Sequence, residues 1–575
     1  MRKIFLALMG TLLCTYLGAQ VYHDYLGAGH VIGINVTTSH DEDSEGDGTI
    51  DGFPITDEVL LKDASRFLAQ ATMGYDFATI RMAAAMGYES WLDEQFSLPG
   101  VDMAQAVLKI ASSYPEEEEE GIPLGHDMFR RAWLYTVLTQ QDLLRHRINH
   151  ALSQIFVVSA FGSDLFEDHA QLIGGYYNVL NKHTFGNYEE LLMDVTLNGA
   201  MGIYLSHFNN PKADPAQNIH PDENYAREVM QLFSIGLYEL NPDGTRKLTA
   251  SNQPIPTYNN DDIREFAKIF TGLGEGHPGG QWGTTEVTQP NLHALYPMRM
   301  YEEGHQQGPK VLLNGTVVPA GQSGMQDIVS AINNLHQHPN VGPFIGKALI
   351  QFLVSANPSP AYVQRVAAAF NNNGQGVRGD MKAVIKAILL DEEARNCRPL
   401  DNATAGKLRE PIVRYTGLLR AFPSELVSQY VNSFLESWQE STSQAPYFSP
   451  SVFNFYQPEF QPNGPIAGQN LVAPVFQIHN SSTAVGYVNE VNSWTFGEEP
   501  LPETDFFFDL EQELELAEEP ADLINHLDIL LACGQLSDAT KNTLVNAISQ
   551  LDEGEDRLLM ALYLILMAPD FAILK

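Results

Sequence analysis

The segment from His220 to Glu228 carries three charged side chains at helical spacing. Glu223 and Arg227 are four residues apart and Glu228 follows directly, so a helix would place two carboxylates about one turn apart beside a guanidinium. Such a group could supply a general acid and a general base, or hold a cation or a sugar. The same spacing is also typical of an ion pair on a solvated helix face. The spacing alone leaves both interpretations open.

Histidines elsewhere in the chain could complete a site. His183 precedes a glycine break, and His305 lies with Lys310 in a long irregular segment. Histidine titrates near neutral pH and can act as a base or a ligand, although a single histidine near a helix end also commonly caps or packs. His146 and His150 have the i, i+4 spacing of zinc ligands. No glutamate follows His146, so the favoured interpretation of that pair is structural.

The acidic segment 43–51 resembles the first nine positions of a calcium-binding loop. Oxygen-bearing side chains fall at positions 1, 3, 5 and 9, and glycine stands at position 6. The candidate ligands are Asp43, Glu45, Asp47 and Asp51. Pro54 occupies position 12, where a calcium loop has its bidentate glutamate. The sequence therefore offers calcium as a candidate cofactor, and a flexible acidic linker as the alternative.

The net charge limits which partners the protein can have. The 575 residues include 33 basic and 71 acidic side chains, which gives a charge of −38. Such a chain repels phosphate backbones, so we expect no nucleic-acid partner. Much of the acidity is local, in the segments 41–51, 116–120 and 498–522. The remainder carries few charges, and this makes the charged helix near Glu223 a candidate site.

The first nineteen residues predict a secretory signal peptide. Arg2 and Lys3 precede the apolar run 4–17, and Gly18 and Ala19 form a small-residue cleavage site. The apolar run is too short for a spanning helix, so we expect no membrane span after cleavage. The sequence predicts export by the general secretory route to the periplasm, the cell surface or the medium. Cys397 and Cys533 then remain and could form at most one disulfide.

Helical periodicity dominates residues 57–575, after a Gly-, Ser- and Asp-rich lead-in at 20–56. The sequence predicts a mainly α protein with a single large, irregular helical domain, long packed loops and at most a small β-hairpin. That hairpin is expected at 310–318 around Asn314 and Gly315, which favour a type I′ turn. Aromatic residues in the long irregular segments 274–309 and 441–474 indicate that these segments pack.

Several motifs occur in order along the chain. They are Ala64–Thr72, Trp91–Phe96, Leu152–Ser159, Tyr176–Gly186, Pro221–Gly236, Arg264–Gly272, His305-x-x-Gly308-x-Lys310, Pro343–Lys347 and Ser449–Tyr456. Together they resemble the domain-of-unknown-function 1800 family of large exported bacterial proteins, from about residue 57 to the C-terminus. The chain has Ser153-Gln154-Ile155-Phe156 where many members have Ser-Asn-His-Phe. This departure puts in doubt a metal or catalytic histidine on that helix.

The family resemblance implies no particular reaction. Genes of the family often lie beside those of exported proteins resembling sulfatases and phosphatases, which implies surface polysaccharide or envelope chemistry. The sequence thus predicts a protein that acts, as a hydrolase for example, on a polymer of the cell surface. The candidate catalytic residues are Glu223, Arg227, Glu228, His183, His305 and Lys310. The alternative is a non-catalytic envelope binding or assembly protein. A surface polysaccharide or another exported protein is the expected partner.

Overall fold

The computed structural model describes residues 57–112, 125–283, 293–396, 404–422, 424–426, 435–496, 506–552 and 554–575. Within these ranges the chain forms 26 α-helices and a few very short strands, which confirms the mainly α prediction. The signal peptide, the lead-in, the calcium-loop candidates Asp43, Glu45, Asp47 and Asp51, and Cys397 lie outside the described residues.

The helices follow one another along the whole described chain. The first ten are α1 (Glu58–Ala71), α2 (Phe77–Met86), α3 (Tyr88–Ser97), α4 (Met103–Ser112), α5 (His126–Thr139), α6 (Leu143–Ile155), α7 (Asp164–Asp168), α8 (Ala170–His183), α9 (Tyr188–Leu197) and α10 (Gly199–Tyr204). The next seven are α11 (Asn224–Gln231), α12 (Asn260–Ile269), α13 (Gly324–His336), α14 (Val341–Leu353), α15 (Pro360–Asn371), α16 (Met381–Leu389) and α17 (Glu392–Arg395). The last nine are α18 (Pro411–Ala421), α19 (Leu435–Thr442), α20 (Pro465–Gly468), α21 (Ser481–Phe496), α22 (Glu511–Leu516), α23 (Pro520–Ala532), α24 (Asp538–Ile548), α25 (Gly554–Met567) and α26 (Pro569–Ala572). None of the described helices is both long and apolar enough to cross a bilayer.

Helix starts are set by polar caps and by proline. Asp57 caps α1, where its Oδ1 accepts a hydrogen bond from the backbone N of Val59 at 3.0 Å. At α13, Ser323 and Gln326 form a reciprocal capping box. α18 begins with a proline at its first position, where no intrahelical N–H is lost. Glu410 is the N-cap residue of this helix, so its carboxylate belongs to the helix end that favours negative charge.

The strands form four antiparallel pairs among the described residues. These pairs are β1 (Leu273–Gly274) with β2 (Arg299–Met300), β3 (Lys310–Val311) with β4 (Val317–Val318), β5 (Lys407–Leu408) with β8 (Ile573–Leu574), and β6 (Ser424–Leu426) with β7 (Phe506–Phe508). The β3–β4 pair is the predicted hairpin. Asn314 and Gly315 both have positive φ, 58° and 71°, as a type I′ turn requires. β5–β8 and β6–β7 join segments far apart in the chain, which no local pattern indicates.

Helix α6 crosses the interior of the helical core. Every residue from Leu143 to Leu152 is buried, and the helix packs against α1, α3, α8 and α14. Three of its polar side chains, Arg147, His150 and Gln154, share one face because they stand at i, i+3 and i+7. Burying such groups is costly unless each finds a partner. The fold therefore places a polar stripe inside an apolar core.

The neighbouring pair α4 and α8 packs closely at Gly174 of α8. A Cβ built on Gly174 would lie 3.0 Å from Cα of Ala104, closer than side chains tolerate.

The irregular segment 441–474 also packs, as its aromatic residues predicted. Tyr447, Phe448 and Tyr456 are buried, whereas Phe453 is exposed. This segment supplies several of the groups that meet the polar stripe of α6.

Candidate functional site

The predicted acid–base helix is shorter than its sequence pattern and lies partly at the surface. α11 begins at Asn224, so Glu223 precedes it. The guanidinium of Arg227 lies 3.6 Å from Oε2 of Glu223, and both side chains are about two-fifths exposed, 42% and 41%. Arg264 approaches the same carboxylate, with Nε 3.8 Å from Oε1. These contacts are solvated ion pairs, which contribute little to stability or orientation.

Glu228 differs from its neighbours on α11 because it is buried, with 5% of its surface exposed. Its Oε2 has no hydrogen-bond partner among the described residues. Burial raises the pKa of Glu228, and the nearby charge of Arg227 lowers it in part. Burial together with the charge of Glu228 raises the pKa of Tyr258 to about 12. Glu228 is thus a buried carboxylate with one oxygen that has no hydrogen-bond partner among the described residues.

His183 pairs with a carboxylate that sequence reasoning did not identify. Its Nε2 lies 2.7 Å from Oδ2 of Asp194 on α9. Lys182 donates a hydrogen bond to the same oxygen at 2.7 Å. The hydrogen bond from His183, aided by Lys182, lowers the pKa of Asp194 to about 2. The contact ties the end of α8 to α9.

His305 and Lys310, which the sequence placed in one site, do lie together. Both contact the carboxylate of Asp327 on α13, with His305 Nε2 3.0 Å from Oδ2 and Lys310 donating to the same oxygen. The other carboxylate oxygen accepts a hydrogen bond from Gln322 at 2.6 Å. Nδ1 of His305 lies 2.9 Å from the carbonyl of Thr271. All three ionisable side chains are buried, so the network is internally satisfied and faces no open space.

No hydrogen bond or ion pair among the described residues joins Glu223, Arg227 or Glu228 to His183 or His305. Each predicted group has its own partners on different helices. A common site for these residues therefore stays a prediction.

A second cluster of charged groups, missed in the sequence, surrounds Glu410. His150 Nε2 lies 2.9 Å from Oε2 of Glu410, and the side-chain amides of Gln154 and Gln444 donate to the same oxygen at 3.0 and 2.9 Å. His146, four residues before His150, instead contacts Asp142. The two histidines of α6 therefore contact different carboxylates.

The other oxygen of Glu410 faces two cations without a hydrogen bond. Oε1 lies 3.7 Å from Nη1 of Arg147 and 3.9 Å from Nζ of Lys407. Although burial raises the pKa of Glu410, His150 and these two cations hold it far below its usual range. With three positive or protonatable groups around it, this carboxylate is compensated by the protein and needs no metal ion.

Lys407 is the member of this cluster whose proton is easily lost. Burial lowers the pKa of its amine to about 7, against the opposing charge of Glu410. Lys407 and Arg147 both donate hydrogen bonds to the carbonyl of Phe352, in the last turn of α14. A helix C-terminus favours positive charge, which explains why both cations lie there.

Lys407 also lines a pocket that opens on the protein surface. The pocket is lined by Ala348, Gln351, Phe352, Ala356, Lys407, Leu408, Tyr456, Pro458, Ala473, Pro474 and Val475. The cavity itself is small, about 20 Å³, and continues into the open mouth. Most of the lining residues are apolar, and Lys407 is the charged residue among them. A partly neutral amine inside an apolar pocket is a typical setting for acid–base chemistry.

Sequence reasoning missed this site because its parts are far apart in the chain. Glu410 lies 260 residues from His150 and 34 from Gln444. The available signal was the sequence Lys407-Leu408-Arg409-Glu410-Pro411, three charges before a helix-starting proline in a chain with few charges. In the sequence, His150 stands out only as one half of the zinc-like pair with His146.

Comparison with known families agrees with the motif resemblance. Residues 66–573 match the family model described as "Protein of unknown function (DUF1800)". The match covers nearly the whole described chain and confirms the resemblance. No curated protein and no solved structure matches the chain.

Proposed function

We propose that this chain, which belongs to the DUF1800 family, is an exported hydrolase that removes small acyl groups from a hydroxyl-rich polymer of the cell envelope. The observation that carries the proposal is the buried amine of Lys407 in an apolar pocket. A pKa of about 7 leaves this amine about half unprotonated at neutral pH. That is the state in which it accepts a proton.

The reaction assigns one role to Lys407. A water molecule attacks the carbonyl carbon of the ester while the neutral amine takes a proton from that water. The tetrahedral intermediate then collapses, the bond between the carbonyl carbon and the alcohol oxygen breaks, and the ammonium returns its proton to the departing oxygen. The products are the free carboxylic acid and the free hydroxyl, and Lys407 is neutral again.

Glu410 and Arg147 are positioning residues in this scheme. Glu410 stays ionised and lies 3.9 Å from the amine, so it stabilises the ammonium that forms during attack. Arg147 shares the carbonyl of Phe352 with Lys407 and fixes that end of the pocket. Neither residue needs to touch the substrate.

The pocket walls favour an acyl group over a sugar ring. Ala348, Pro458, Pro474 and Val475 offer no side-chain hydrogen bonds. A sugar ring needs several such bonds, whereas an acetyl or similar group buries its methyl end against apolar walls and exposes its carbonyl to the amine. Export rests on the signal-peptide pattern of residues 1–19, and the polymer on the association of this family with envelope chemistry.

The experiment measures acid release by the mature protein from acetylated polysaccharide and from 4-nitrophenyl acetate. Lys407→Met keeps the aliphatic stem but removes the base, and we expect kcat to fall at least about 100-fold. Lys382→Met is the matched control, because Lys382 is exposed on α16, and it should retain the wild-type rate. Circular dichroism establishes that both variants are folded.

Two outcomes would overturn the proposal. One is the absence of acyl release by the wild-type protein from either ester. The other is a folded Lys407→Met variant with unchanged kcat. Either result would favour the alternative of a non-catalytic envelope protein.

A further inference from the structure

Three metal-ligating side chains meet in a buried cluster beside the β1–β2 pair. Glu275 and His277 follow β1, and His293 precedes β2 in the chain. Their side chains are essentially inaccessible, with 0%, 1% and 1% of the surface exposed. The cluster shares no residue with the Lys407 pocket, so it is independent of the proposed function.

The distances in this cluster are those of ligands around a common ion. Nε2 of His277 lies 3.5 Å from Oε2 of Glu275, and Nε2 of His293 lies 3.7 Å from Oε1. One ligand atom from each residue can be chosen so that all lie within 4.8 Å of one another. Two ligands of a tetrahedral zinc ion, each about 2.0–2.1 Å from the metal, are about 3.4 Å apart.

The tautomer of His277 is set by its other ring nitrogen. Nδ1 lies 3.1 Å from the carbonyl oxygen of Pro278, which can only accept, so Nδ1 carries the hydrogen. A carbonyl that orients a histidine in this way is the usual support of a metal ligand.

The surrounding backbone holds these ligands in place. Oε2 of Glu275 accepts a hydrogen bond from the backbone N of Gln281 at 3.1 Å, and its carbonyl accepts one from Tyr301 at 2.7 Å. Arg299 on β2 donates to the carbonyl of Gly280 at 2.7 Å. These bonds tie the turn after β1 to β2. The ligand set is therefore organised by the fold.

We propose that Glu275, His277 and His293 bind one divalent transition-metal ion, and that this ion is zinc. Imidazole and carboxylate ligands suit zinc, and each histidine Nε2 lies near the ligand–ligand separation of a tetrahedral ion from one carboxylate oxygen of Glu275. Because the ligands lie on both sides of the chain connection between β1 and β2, the ion cross-links the two ends of that connection. Metal binding is then coupled to the stability of this part of the fold.

The test uses the untagged full-length chain, first freed of metal by a chelator. After addition of Zn²⁺ and removal of excess, we expect about one zinc ion per chain by elemental analysis and a higher Tm than in the metal-free protein. Co²⁺ in place of Zn²⁺ should give the visible absorption bands of a tetrahedral site. Binding of far less than one equivalent, or no change in Tm and no cobalt bands, would overturn the proposal.

Substitution locates the ion. His277→Ala and His293→Ala should each abolish stoichiometric zinc binding, whereas His220→Ala, at an exposed histidine outside the cluster, should retain it. Folded variants of His277 and His293 that keep one zinc ion would overturn the assignment. If either variant fails to fold, the cobalt spectrum and the Tm shift of the wild-type chain decide the question.

Discussion

The Nζ atom of Lys407 lies 3.9 Å from Oε1 of Glu410, beyond hydrogen-bond distance, although both side chains are buried. A closer contact would favour the ammonium more strongly. At this separation burial dominates, and the pKa of Lys407 falls to about 7. Glu410 itself stays ionised because His150 and Arg147 also face it. The arrangement thus combines an amine that can be neutral with a carboxylate that is charged.

Removing the charge of Glu410 should make Lys407 still less basic. We expect Glu410→Gln to lower the pKa of Lys407 below about 7, since the carboxylate is the group that raises it. The pH dependence of Lys407 acetylation by acetic anhydride, measured by mass spectrometry, reports this pKa without any substrate. In the wild-type protein the rate should reach half its maximum near pH 7.

The control for this measurement is the peptide that contains Lys382. Its acetylation should not change between the wild-type protein and the Glu410→Gln variant, because Lys382 lies on α16, outside the cluster. A midpoint for Lys407 that stays in place, or rises, in a folded Glu410→Gln variant would contradict the electrostatic account of the pair.

The sequence predicts those features that depend on local spacing. The mainly α class follows from 3.6-residue periodicity, and the β3–β4 hairpin follows from Asn314 and Gly315. His305 and Lys310 were recognised together because they are five residues apart. Asp327, whose carboxylate contacts both side chains, was missed because it lies on the next helix and no sequence pattern around it indicates a site.

The Lys407 pocket could not be predicted for the same physical reason. Its polar groups come from α6, from β5, from the start of α18 and from the segment around Tyr456. Their contacts depend on tertiary packing, which the spacing of residues within one helix or strand does not indicate. Burial also differs within the charged segment, because Glu223 and Glu228 are five residues apart but only Glu228 lies in the interior.

The network of Asp327 should behave as a structural ion pair. Asp327→Asn leaves the ammonium of Lys310 buried without its counter-charge, and we expect the free energy of unfolding to fall by about 3–5 kcal/mol. The double variant Lys310→Met, Asp327→Asn removes both charges and should cost less than the single change Asp327→Asn. Urea unfolding of the two single variants and the double variant gives the coupling energy. Additive effects would show that the two groups do not depend on each other.

His207 should make the protein less stable in mild acid. Burial lowers its pKa from 6.5 to about 4, so the folded state stays neutral while the unfolded chain takes up a proton. The contribution of neutral His207 to the free energy of unfolding is therefore complete above pH 6.5. It decreases as the pH falls to about 4, by up to about 3 kcal/mol.

Replacing His207 by phenylalanine tests this dependence. Phenylalanine retains a ring for stacking on Tyr225, where the ring centroids are 3.9 Å apart, but it cannot titrate. The variant should lose less stability than the wild-type protein between pH 6.5 and pH 4 in urea unfolding. Some dependence should remain, because burial also lowers the pKa of His336 to about 4. Parallel curves for the variant and the wild type would count against the assignment.

Glu228 should destabilise the folded protein at neutral pH. Burial raises its pKa above the ordinary value of 4.5, so the folded state retains a proton that the unfolded chain releases first. The contribution of protonated Glu228 to the free energy of unfolding is complete below pH 4.5. It is lost as the pH rises through the pKa that Glu228 has in the folded protein. Glu228→Gln abolishes the titration, and we expect it to raise the free energy of unfolding at pH 7.

The matched control is Glu223→Gln, which alters an exposed ion pair at the start of the same helix and should change stability by less than about 0.5 kcal/mol. Urea unfolding at pH 7 and pH 4 compares the two variants, and the advantage of Glu228→Gln should shrink at the lower pH. A Glu228→Gln variant that is less stable than the wild type at pH 7 would show that the carboxylate has a compensating partner. If the substitution stabilises the fold, Glu228 is retained at a cost to stability, and this would favour a functional role for the carboxylate on α11.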